Sequence, residues 1–192
     1  MTDLHQEHHF EREICETLAA QGWLYAEGDA KHYDRQTALY LPDLIDWIKT
    51  TQEDSYNRLL KNHGEDWTQR VAERVRKSIN ESSTLDALRH GVDMLGLRTP
   101  LMLVQFKPAF TLNETIQKNY QANRLRVVRQ VSHSVNNHGE EIDLVLFVNG
   151  IAVATVELKS DFTQSVNDAV DQYRFDRNPL PKGGKLEPLL AF

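Results

Sequence analysis

Asn149-Gly150 stands between two apolar, β-branched runs, residues 142–148 and 151–158. Both residues tolerate positive φ, so an Asn-Gly pair between such runs predicts a two-residue β-hairpin. The runs are nearly continuous in apolar residues, which predicts burial on both faces.

Three charged residues interrupt that burial: Asp143, Glu157 and Lys159. Asp143 lies six residues before Asn149 and Glu157 seven after Gly150, so they come nearly opposite at the far end of the hairpin. Alternation along a strand puts Glu157 and Lys159 on one face and Leu158 on the other. Buried carboxylates are costly unless paired or bound to a metal. One chemistry that answers this is a hard-cation site. Mg²⁺ takes oxygen ligands, usually one or two carboxylates with waters and substrate phosphate. It activates a water and stabilises a phosphate transition state, and a neighbouring lysine can orient that water. The other answer is a structural ion pair at a strand end. The residues alone leave both open.

The chain has 192 residues, enough for one domain with a real core. No run approaches the roughly 18 apolar residues of a membrane helix, so no membrane role is expected. The one cysteine, Cys15, leaves no internal disulfide and suits a reducing cytoplasm. The net charge of −6 argues against indiscriminate nucleic-acid binding, but the charge is unevenly spread. Residues 1–60 hold twelve acids against five Lys/Arg. Residues 98–134 hold six Lys/Arg (Arg98, Lys107, Lys118, Arg124, Arg126, Arg129) against Glu114 alone. A basic cluster just before the acidic hairpin suits phosphate contacts, and equally a solvated strand face.

Elsewhere, Phe10, Ile14 and Leu18 recur at helical spacing, predicting a helix near 7–21 that ends at Gly22. Residues 23–40 show no clear period. Residues 42–91 read as a helical insertion: Pro42 suits a first turn, Trp67, Val71, Val75 and Ile79 form a four-spaced stripe, and Thr84 and Gly91 bracket a last helix. Residues 101–106 read as a strand ended by Pro108. Asn113 caps a helix running to Gln121, and 124–132 alternate as a strand. A further helix is expected near Ser165–Phe175, then a Pro/Gly loop over 178–188. Leu189-Leu190-Ala191-Phe192 opens an apolar run, which suggests a fragment of a longer chain. There is no Gly-x-x-x-x-Gly-Lys-(Ser/Thr) P-loop.

Asp143, followed by Glu157-Leu158-Lys159, resembles the core of the PD-(D/E)XK nuclease fold. The run Asn123–Val131, the block Ile142–Gly150 and Val156-Glu157-Leu158-Lys159 resemble the amino-terminal region of the type I restriction enzyme R (motor/endonuclease) subunit. The likeness extends from Phe10-Glu11-Arg12-Glu13-Ile14 to Gln172-Tyr173-Arg174-Phe175-Asp176-Arg177.

That resemblance implies an α/β chain: a mixed sheet flanked by helices near 7–21 and 163–176, with the helical insertion, forming one endonuclease domain over 1–192. It implies Mg²⁺-dependent hydrolysis of double-stranded DNA. Asp143, Glu157 and the backbone carbonyl of Leu158 would hold the metal, and Lys159 would position the water. Glu11, in the pattern Glu11-Arg12-Glu13-Ile14, becomes a candidate accessory ligand. Gln172 carries over as a residue beside the active site. Tyr173 carries over only weakly, because the expected Gln-x-x-x-Tyr has Asp176 at its last position. Arg124, Arg126, Arg129, Arg174 and Arg177 are candidate DNA contacts. In that family the domain is fused to an ATP-driven motor and works with methyltransferase and specificity subunits, with S-adenosylmethionine and ATP bound elsewhere in the complex. Two alternatives stand beside it: a freestanding repair or recombination nuclease of the same fold, and a non-catalytic DNA-binding or docking module.

Overall fold

The structure, a computed structural model, describes residues 3–110, 112–158, 170–171, 174–175 and 177–189. A long helix, α1 (Asp3–Ala20), comes first and ends at Gly22, whose φ is +94°. After a short 3₁₀ turn, two brief strands follow, β1 (Tyr33–Asp34) and β2 (Leu39–Tyr40). Four helices then form the insertion: α2 (Leu41–Thr51), α3 (Glu53–His63), α4 (Trp67–Glu81) and α5 (Thr84–His90). A last short helix, α6 (Glu114–Gln121), leads into three longer strands: β3 (Leu125–Ser132), β4 (Glu141–Val148) and β5 (Ile151–Val156).

The strands make an open sheet in the order β1-β2-β5-β4-β3. Every ladder is antiparallel; the parallel element of the expected mixed sheet is one bridge, Leu24 to Arg126. The β4–β5 hairpin is covered on both sides, as its continuous apolar runs require. On one side Cys15 of α1 packs with Val127 and Leu144. Val128, Val145, Phe147 and Ala152 pack with Tyr40 and Leu189 on the other side. The insertion carries its own apolar core, around Trp47, Leu59, Trp67, Val71 and Val75 on α2–α4, which Leu39 and Ile151 join to the sheet.

The turn is left-handed at both central residues, with φ +49° at Asn149 and +81° at Gly150. Asn149 does more than turn the chain. Its buried amide donates to Leu103 O and to Asn123 Oδ1, both at 2.9 Å, and accepts the Arg124 N–H at 2.7 Å. Gly150 lies so close to the start of α2 that a Cβ there would meet Tyr40 O at 2.3 Å and Leu44 N at 2.9 Å.

Three expectations need correction. Residues 101–106 do not form a strand; Leu101 makes one bridge, to Val92. Side chains satisfy this backbone instead of a neighbouring strand. Trp47 Nε1 and Gln52 Nε2 both donate to Met102 O at 2.8 Å, and Asn123 Nδ2 donates to Gln105 O at 2.7 Å. The cap of α5 is Ser83, whose Oγ accepts the Asp86 N–H at 3.1 Å, so Thr84 falls inside the helix. Residues 23–40 are less irregular than they read, because two-residue strands are too short to leave a period. The cap at Asn113 is as expected, its side chain accepting the Ile116 N–H at 3.1 Å. The helix expected at Ser165–Phe175 falls mostly outside the described residues.

Gly150→Ala should destabilise the protein by about 2 kcal/mol or more, combining backbone strain at positive φ with the clash on α2. Urea unfolding checks this; an unchanged midpoint would mean that the turn is not seated against Tyr40.

Candidate functional site

The count from the turn leaves Asp143 and Glu157 one residue out of step. The sheet absorbs that residue in a bulge. Phe147 pairs with Ala152, but Leu146 pairs with Ala154, so Val153 is the extra residue on β5. Beyond it Leu144 pairs with Val156, and the same register carried one step further sets Asp143 against Glu157. Bulges are frequent next to active sites, where they re-aim side chains.

A second irregularity faces Asp143 from β3. The β3–β4 register pairs Arg129 with Leu144 and Val131 with Ile142, which leaves Gln130 across from Asp143. Gln130 has φ +50°, a left-handed conformation that an L side chain adopts at a cost. Alternation slips there: Val128 and Val131 lie three apart yet share one core, as do Val145 and Ile142. The Gln130 side chain turns toward α1, within 3.4 Å of Glu11 Oε2 and 2.5 Å of His8 Nδ1. No sequence signal marks Gln130, because a φ is invisible in a residue type that seldom adopts it.

Asp143, Glu157 and Glu11 each have a partner within the chain. Asp143 Oδ2 accepts the Leu158 N–H at 2.5 Å. Glu157 Oε1 is paired with Arg177, and the two side chains are only 4% and 6% exposed. Arg177 also donates to Glu141 O at 2.8 Å and approaches His133 Nδ1 at 3.5 Å. Glu11 is buried and receives Arg129 through Nε at 3.1 Å and Nη2 at 2.9 Å. Arg129 bonds Glu27 as well. Burial works against the Arg129 charge, but hydrogen bonding with Tyr25 and Glu11 outweighs it and raises its pKa. Burial also pushes the Cys15 thiol up to about 11, so it stays protonated and inert.

The structure therefore reassigns three of the six cations of the basic stretch, while Arg98, Lys107 and Lys118 are exposed. Arg126 is buried and holds Asp43 through Nε and Nη2, with Nη1 on Asp29 and the Tyr40 ring 4.4 Å away. Arg124 pairs with Asp43 at 2.8 Å and Asp46 at 3.5 Å. Arg124, Arg126 and Arg129 neutralise the acidic first third of the chain rather than present a free cationic face, because burial makes an unpaired acid such as Asp43 too costly. Arg177 is likewise an inward ion-pair partner. Arg174 is exposed and lies beside Phe175, 5.8 Å from its ring. Lys159, Gln172 and Tyr173 lie outside the described residues.

Asp143 and Glu157 supply hard oxygen donors, and one or two carboxylates completed by waters are what Mg²⁺ ordinarily takes from a protein. By donor chemistry the pair fits that ion. Among the described residues no three His, Cys, Asp or Glu side chains converge as a ready-made metal cage, and Glu11 is committed to Arg129. The hollow near this end, lined by Tyr25, Glu27, Asp29, Arg129, Gln130 and Glu141, measures about 150 Å³. That is below the roughly 300 Å³ usual for a small-molecule site.

A mixed α/β chain with an open five-stranded sheet and paired carboxylates at one end of its central hairpin is consistent with a nuclease-like fold. The family model described as type I restriction enzyme R protein N terminus matches residues 6–192, nearly the whole chain, and the protein belongs to that family. Comparisons with curated proteins and with solved structures gave no match. Among the described residues no helix is long and apolar enough to cross a membrane.

Two outcomes follow for stability. Arg129→Met strands the buried Glu11 carboxylate and should cost about 3 kcal/mol; Glu11→Gln in the same chain should recover part of it. Chemical denaturation of the single and double variants checks this, and simple additivity of the two losses would show that the pair is not coupled. His133 is fully buried, and burial followed by the Arg177 charge lowers its pKa below 6.5. The unfolded chain then binds a proton that the folded state resists. His133 should therefore cost nothing above about pH 6.5 and should erode stability as pH falls below it. In His133→Asn the fall in melting temperature between pH 7 and pH 5 should be smaller than in the wild type.

Proposed function

We propose that the chain is the endonuclease domain of a type I restriction R protein, hydrolysing phosphodiester bonds of double-stranded DNA with Mg²⁺. The observation that carries the reading is the β4–β5 register, in which one bulged residue brings Asp143 level with Glu157 in a chain of this family.

Asp143 and Glu157 would hold the ion, with the carbonyl of Leu158, the residue that follows Glu157. When bound, Mg²⁺ supplies Lewis-acid polarisation of the phosphate and lowers the pKa of a bound water. Lys159, two residues beyond Glu157, is proposed to orient the attacking water, and Gln172 to support that arrangement. The Asp143–Leu158 hydrogen bond holds the end of β5 against β4 and so sets the spacing of the acids. Gln130 and Arg129 brace the opposite side through Glu11. Glu11 thus supports the strand rather than the ion. Of the five candidate arginines Arg124, Arg126, Arg129, Arg174 and Arg177, Arg174 is the one left facing solvent for phosphate contact. We place ATP hydrolysis in a motor region of the parent protein and target choice in its methyltransferase and specificity partners.

A second reading is favoured by the internal pairing of Glu11, Asp143 and Glu157: the constellation is structural and the domain only docks on DNA. Plasmid cutting separates the two. The full-length R protein, assembled with its partner subunits, ATP and Mg²⁺, should linearise supercoiled DNA. Asp143→Ala and Lys159→Ala should lose cutting by about a hundredfold or more while ATP hydrolysis continues. Undiminished cutting by both variants would make the acids structural.

A further inference from the structure

We propose that Arg177 is a resident counter-cation of the carboxylate site, which a divalent ion must displace from Glu157 in order to bind there. The proposal rests on the metal reading above and concerns how the site is kept closed without an ion.

Glu157 and Arg177 form a pair almost sealed from water. A guanidinium does not deprotonate in a protein, so this positive charge leaves only by moving. It sits on a carboxylate oxygen that an oxygen-seeking cation needs, and two cations on one carboxylate repel each other in a site screened little by solvent. Asp143 differs in kind. Its partner is the neutral Leu158 N–H, which contributes no competing charge. Exchange is therefore required at Glu157 and not at Asp143.

Arg177 is also placed so that it can let go. Its Nη2 donates to Glu141 O at 2.8 Å and its Nη1 lies 3.5 Å from His133 Nδ1. Both partners belong to the β3–β4 side and neither depends on Glu157. After exchange the guanidinium keeps hydrogen-bond acceptors, which lowers the cost of leaving its carboxylate.

The segment that carries Arg177 is built for a local shift. Residues 177–189 contain no helix or strand. Their far end is pinned: Glu187 accepts Ser134 Oγ and Asn136 Nδ2 at 2.6 Å and the Val135 N–H at 2.9 Å, and Arg76 Nη1 donates to Pro188 O at 2.8 Å. Burial alone would raise the Glu187 pKa, but these hydrogen bonds outweigh it and hold the carboxylate below its usual range. Among the described residues the Arg177 side chain ties the near part of this segment to the site, and its release leaves the anchored far end in place. Affinity for the ion is then set by Arg177 as much as by the acids.

The test is calorimetric titration of Mn²⁺ into the chain as wild type, Arg177→Met, Glu157→Gln and the double variant, with circular dichroism confirming the fold. Arg177→Met should bind Mn²⁺ about tenfold more tightly than wild type, the order of effect that one charge at contact distance exerts on a carboxylate. Glu157→Gln should abolish that gain. Equal or weaker binding by a folded Arg177→Met, with binding still lost in Glu157→Gln, overturns the counter-cation role and leaves the metal site standing. Binding that is absent throughout, or that survives Glu157→Gln unchanged, overturns the metal reading and this proposal with it. A wild-type measurement covers the case in which Arg177→Met does not fold. In ¹⁵N-arginine-labelled protein, the Arg177 guanidinium signal, assigned by its absence from Arg177→Lys, should shift and exchange faster with water on saturation with Mg²⁺. A signal unchanged at saturating Mg²⁺ overturns the proposal.

Discussion

The side-chain amide of Asn149 is the contact on which the rest of the sheet depends. It is fully buried and joins the hairpin turn to the entry of β3 and to the extended segment at Leu103. A slip of one residue in a strand would exchange its two faces, and here both faces are packed. The turn fixes the pairing of β4 with β5 at one end, and the bulge at Val153 resets it by one residue before the acids are reached. Neither alone brings Asp143 level with Glu157. The seat of Gly150 against Tyr40 couples the same turn to the helical insertion, so site and insertion share one anchor.

The electrostatics follow a single rule: an acid is buried where a guanidinium or an N–H can meet it. Asp43 takes Arg124 and Arg126, Glu11 takes Arg129, Glu157 takes Arg177, and Asp143 takes the Leu158 N–H. Buried ion pairs of this kind add little net stability but are costly to break, so they specify an arrangement more than they strengthen it. Arg124, Arg126 and Arg129 of the basic stretch meet Asp29, Asp43, Asp46, Glu11 and Glu27 of the acidic first third in these pairs. Half of what looks in one dimension like a phosphate-binding cluster is in three dimensions an internal counter-charge. That leaves the family membership and the hairpin register, rather than a basic surface, as the support for action on DNA.

Strong local signals were legible in the sequence. The Asn149-Gly150 turn, the cap at Asn113, the stripe on α4 and the stop at Gly91 each rest on short-range rules that tertiary contacts did not overturn. The segment at 101–106 was misread because apolar composition alone cannot tell a strand from an extended segment satisfied by the side chains of Trp47, Gln52 and Asn123. Asp143 and Glu157 were legible as candidates because charge inside an apolar run is conspicuous. The bulge and the left-handed Gln130 were not, since neither Val153 nor Gln130 is a residue type that announces its backbone geometry.

By itself, the sequence determined the central hairpin, the helical character of the insertion and the pair of acids that invites a cation, because each depends on neighbours a few residues away. Only the tertiary structure decided which cation each acid meets. The partners of Asp43, Glu11 and Glu157 lie 81, 118 and 20 residues distant along the chain, and the low dielectric of the interior makes those meetings obligatory without encoding them locally.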